Sequence, residues 1–68
     1  MEKIKINGAE KEFGELPANL AELLERLKVD ASTVVAEVDG EIIERSRFSQ
    51  TALKQGQAVE LIRFVPGG

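Results

Sequence analysis

The sequence predicts an α+β fold: a mixed sheet of four to five strands with one helix packed across one face. Three observations carry this expectation. Asn7-Gly8 and Asp39-Gly40 are strong two-residue hairpin signals, because both positions of such a turn must accept positive φ. Leu20, Leu23, Leu24 and Leu27 fall at i, i+3, i+4 and i+7, which draws one apolar stripe along one helix. Short alternating or β-branched runs occupy much of the remaining chain.

Taken in order, Glu2 to Asn7 alternates, with Lys3 and Lys5 on one face and Ile4 and Ile6 on the other, as in a half-buried strand. After Asn7-Gly8 a second strand should run through Lys11, Glu12 and Phe13, with Phe13 reaching the core. Leu16-Pro17-Ala18 leads into the helix, where Asn19 is the expected N-cap and Glu22 closes a capping box. The helix should end near Lys28 or Val29. Thr33 to Val38 is β-branched and strand-like. Glu37 and Asp39 need water, so Val34, Ala36 and Val38 should face inward. Glu41 to Glu44 pairs back after Asp39-Gly40. Arg45 to Gln55 reads as irregular, anchored by Phe48 and Leu53, and Gly56 marks a turn. Ala58 to Phe64 is the last strand, with Val59 and Leu61 inward.

The order is ββαββ, an irregular stretch, then β. One helix can cover one face of a mixed sheet. The first and last strands can then pair in parallel at its centre. This is the β-grasp (ubiquitin-like) layout, expected to form one domain over residues 1–68 with a flexible tail at 65–68.

Composition narrows the function. A chain of 68 residues buries only about 60% of its unfolded surface. It has no cysteine and no histidine, so the body offers neither a sulfur nucleophile nor the commonest general base. No metal site is predicted. The net charge of −3 argues against a nucleic-acid partner. No apolar run approaches the ~20 residues that span a bilayer. The N-terminus alternates charged and apolar residues, unlike a signal peptide. The cytoplasm is the expected compartment.

The last strand runs into Val65-Pro66-Gly67-Gly68. Two terminal glycines say little alone, but they are informative directly after the final strand of this layout. An α-carboxylate is ionised at neutral pH. It can attack the α-phosphate of ATP, and the resulting acyl-adenylate is open to sulfide or persulfide. Gly67 and Gly68 carry no Cβ, so the tail can thread a narrow channel. Pro66 removes a backbone donor and fixes φ, and is expected to act as a stop that lifts the tail off the sheet.

At this point the chain resembles the thiamine-biosynthesis sulfur carrier family over nearly its whole length. The residues concerned are Ile6-Asn7-Gly8, Leu20-Ala21-Glu22-Leu23-Leu24, Asp39-Gly40-Glu41-Ile42-Ile43, Arg45-Ser46 with Phe48, Leu53, Gly56, Val59-Glu60-Leu61-Ile62 and Gly67-Gly68. Two positions depart from the pattern. Gln57 stands where an Asp is typical, which should only alter a turn, and Pro66 stands where a small residue is common. The resemblance implies a carrier that is a cosubstrate and not an enzyme, and that binds no cofactor itself. An E1-like adenylyltransferase would use ATP and magnesium to adenylate Gly68. A cysteine desulfurase or rhodanese-type donor would supply sulfur, and thiazole synthase would take it from the Gly68 thiocarboxylate.

Three other readings stay open: the small subunit of molybdopterin synthase, which delivers sulfur to a pterin and is usually longer; a ubiquitin-like protein modifier joined through Gly68; and a plain β-grasp interaction domain. The outer face raises a separate question. If Val59 and Leu61 face the helix, Ile62 and Phe64 point the other way, where no second helix covers them. Either they form a partner-binding patch beside the tail, or they pack locally against the Phe48 region.

Overall fold

A computed structural model describes residues 1–64. Its elements are β1 (Glu2–Ile6), β2 (Ala9–Phe13), α1 (Leu20–Arg26), β3 (Val34–Val38), β4 (Glu41–Ile43) and β5 (Ala58–Arg63), with 3₁₀ segments at Ala31–Thr33 and Arg45–Gln50. The sheet has five strands in the order β2-β1-β5-β3-β4. β1 and β5 run parallel at its centre, and the other neighbours are antiparallel. This is the β-grasp arrangement, and α1 crosses one face of it.

The core follows the alternation of the strands. Ile4, Val34, Ala36, Val38 and Val59 point to the helix side, where Leu20, Leu23 and Leu24 meet them. Phe48 and Leu53 are buried in the same cluster, while Leu27, Phe13 and Leu61 pack at its edge. Both hairpins turn through left-handed residues, with φ of 51° at Asn7 and 83° at Gly8, then 50° at Asp39 and 86° at Gly40. These values fit the mirror-image turns that match strand twist.

The helix ends differ in detail from the sequence reading. Asn19 is the N-cap, and its Oδ1 accepts from the Glu22 backbone N–H at 2.8 Å. The reciprocal half of the capping box is shifted. The Glu22 carboxylate accepts from the N–H of Ala18, one residue further back, while Arg26 lies 3.5 Å from its other oxygen. At the other end the helix stops at Arg26, before Lys28 or Val29. Lys28 adopts φ 58°, and the chain closes a Schellman motif: Lys28 N–H donates to Glu25 O at 3.0 Å and Val29 N–H to Leu24 O at 2.9 Å.

Two further corrections concern connections. Thr33 belongs to the 3₁₀ turn Ala31–Thr33 and not to β3. Asp30 caps that turn by accepting from the Ser32 N–H at 2.9 Å, and this bond holds its carboxyl below the ordinary carboxylate range. Much of the stretch read as irregular, Arg45–Gln50, is a 3₁₀ helix that seats Phe48 in the core. Gln57 does sit in a turn, as expected, and its Oε1 accepts from the Lys54 N–H at 2.7 Å.

Candidate functional site

The site expected from the sequence has two parts. Val65, Pro66, Gly67 and Gly68 lie outside the described residues. The other part is the strand that leads to them and the sheet face beside it.

β5 is the central strand, so its course is set from both sides. On one flank it pairs with β3, with Val35 opposite Ile62 and Val34 opposite Arg63. The N–H of Phe64 extends this flank by donating to Thr33 O at 2.8 Å. On the other flank β1 supports only the first part of β5, with Lys5 beside Ala58 and Ile6 beside Val59.

The face away from the helix carries an apolar group. Ile62 is 56% exposed, Phe64 43%, Ile42 66% and Val35 38%. The sequence reading named Ile62 and Phe64, and the structure leaves both open. Phe64 shares a shallow depression with Phe48, Val35, Ile42 and Ile43, so it stands beside the Phe48 region without being buried there. Val35 and Ile42 were missed. Alternation along β3 places Val35 opposite to Val34 and Ala36, but only the β3–β5 register sets it against Ile62. Polar residues border the group. Glu37 lies directly opposite Glu60, and Lys3 and Lys5 continue the face on β1, Lys3 being 3.7 Å from Glu10. Among the described residues no cluster of three or more acidic, His or Cys side chains is placed to hold a metal ion. No described helix is long and apolar enough to cross a membrane.

The model of the ThiS family matches residues 4–68. The chain belongs to the ThiS family. A crystal structure of the thiamine biosynthesis protein ThiS from Geobacter metallireducens superposes with a TM-score of 0.83 at 38% identity, covering 97% of this chain and 99% of that one. A solution structure of a thiamine biosynthesis protein from the same organism gives a TM-score of 0.78 at 40% identity, over 97% and 87% of the two chains. A thiazole synthase of Paramagnetospirillum magneticum is 35% identical over 66 residues, which are 97% of this chain. The chain spans only 20% of the length of that relative. The fold and the family thus agree with the resemblance drawn from the residues.

Proposed function

We propose that this ThiS-family chain is a sulfur carrier whose working group is the Gly68 carboxylate. The carboxylate oxygen attacks the α-phosphate of ATP held with magnesium by an E1-like adenylyltransferase, and pyrophosphate leaves. Hydrosulfide then attacks the acyl carbon, AMP leaves and the thiocarboxylate remains. With a persulfide from a desulfurase or rhodanese-type donor, the terminal sulfur attacks the acyl carbon and AMP leaves, giving an acyl disulfide. A second thiol then attacks the donor's sulfur, which releases the thiocarboxylate and leaves a disulfide between that thiol and the donor. The carrier is a cosubstrate throughout. Its part is to present the carboxylate at the end of a slender segment and to offer a face for docking. Val65, Pro66 and Gly67 form that segment, and Ile62 and Phe64, with Val35 and Ile42, form the face.

The observation that carries this reading is that the family match extends through Gly68, beyond the central strand β5 that ends at Arg63. The acceptor we favour is thiazole synthase, because a relative of that name contains a stretch similar to nearly all of this chain. The cytoplasm, where such enzymes meet ATP, is the proposed compartment.

The test is incubation with an adenylyltransferase, ATP, magnesium and a sulfur source, followed by intact-mass spectrometry. The wild-type chain should exchange one oxygen for sulfur, with fragmentation placing the change at Gly68. Deleting Gly68 draws the carboxylate back by about 3.3–3.6 Å of extended chain and should abolish the exchange. The melting temperature should stay the same. A chain lacking Gly68 that gains sulfur as readily as wild type would overturn the proposal.

A further inference from the structure

We propose that Asn7 is a positioning residue for the C-terminal chemistry, because its side chain takes over the β1 flank of β5 where β1 itself has ended. The inference rests on the sulfur-carrier reading above.

In the parallel ladder the Lys5 N–H donates to Gln57 O and the Asn7 N–H to Val59 O, both at 2.9 Å. A parallel ladder continues by bonding the next N–H of β5 that faces β1, that of Leu61, to the neighbouring strand. At Asn7, however, the chain adopts φ 51° and turns into the hairpin. The Leu61 N–H meets the Asn7 side-chain Oδ1 instead, at 2.7 Å. Among the described residues this is the last bond to β5 from the β1 side. Beyond it, Ile62, Arg63 and Phe64 are held from the β3 side.

Asp39 supplies an internal comparison. It occupies the equivalent place in the other hairpin, with φ 50°, and its Oδ1 accepts from the Ala58 N–H at 2.9 Å. The two turns therefore make the same kind of side-chain bond to the same strand. One bond lies where β5 begins, and the other lies just before the segment that enters the partner. A purely structural role predicts similar consequences for losing either. A positioning role predicts different ones. With β5 held from both flanks as far as Leu61, Ile62 to Phe64 are ordered before docking, so less ordering is required when the partner binds. Small misplacement of a reacting group can cost as much as about a hundredfold in rate.

Glycine tolerates the left-handed backbone at both sites and removes only the acceptor. The variants are therefore Asn7→Gly, Asp39→Gly and, to restore an acceptor, Asn7→Asp. Each is followed by Leu61 amide hydrogen exchange, by thermal melting, and by the rate of pyrophosphate release with the adenylyltransferase. Asn7→Gly should speed Leu61 exchange and lower kcat/KM by about tenfold. Asn7→Asp should recover most of both. Asp39→Gly should lower the melting temperature comparably while changing kcat/KM by no more than about twofold. Unchanged Leu61 exchange, an undiminished rate in Asn7→Gly, or an equal loss in Asp39→Gly overturns the inference and leaves the carrier reading intact. A wild-type chain that releases no pyrophosphate removes both.

Discussion

Lys28 holds a φ of 58°, a conformation that costs an L-residue about 1–2 kcal/mol. It does so because the helix closes there, with two backbone carbonyls satisfied by the turn. Lys28→Gly should relieve that cost. Glycine has more unfolded-state freedom to lose, so the net gain should be about 0.5–1 kcal/mol. Circular dichroism should show the melting temperature rising by a few degrees, roughly 4–8 °C per kcal/mol for a domain this size. A lower temperature would mean that the lysine stem contributes more than its backbone costs. Residues of this kind set the limit of sequence reading. Asn19 announces itself as a cap because Asn in front of a leucine stripe has a mechanism. A lysine gives no comparable sign, since nothing in its side chain favours the left-handed region. The bonds from Asn7 Oδ1 and Asp39 Oδ1 to β5 were hidden for another reason. The Asn-Gly and Asp-Gly pairs declare the turns, but their second partner lies on a strand 54 residues away for Asn7 and 19 for Asp39.

Elements with a clear period were legible. The leucine stripe predicted which helix face is buried, and Leu23 is fully enclosed between α1 and the sheet. Leu23→Ala should leave a cavity and cost about 2–5 kcal/mol. That would be a large part of the stability of so small a domain. The urea midpoint should fall markedly without a change in slope. An unchanged midpoint would show that the surroundings collapse fully around alanine. The inward set on β3, Val34, Ala36 and Val38, was equally legible because Glu37 forces the choice of face. The 3₁₀ helix Arg45–Gln50 was not. It is six residues long and buries only Phe48. A single anchor cannot define a period, so the sequence offered Phe48 as a contact and no element around it.

For the whole molecule, the sequence led to the correct topology and to half of the outer apolar group. Ile62 and Phe64 followed from alternation along one strand. Val35 and Ile42 required the pairing of three strands, which no local pattern encodes. This face yields a prediction that separates docking from folding. Ile62→Glu puts a carboxylate where water already reaches, so stability should change by no more than about 0.5 kcal/mol. Binding to the proposed adenylyltransferase partner would desolvate that carboxylate, and affinity should fall by at least about tenfold. Parallel loss of both would show that Ile62 supports the sheet and does not dock. The central pairing of β1 with β5 has a mechanical consequence as well. These two strands run parallel and lie toward opposite ends of the chain. A pull that separates those ends slides one strand past the other. The bonds of Lys5, Asn7 and Leu61 then bear the load together, in shear, and cannot open one after another as in a zipper. An unfolding machine that gripped the carrier by its C-terminal side while the N-terminal side was held would therefore have to break the ladder as a unit.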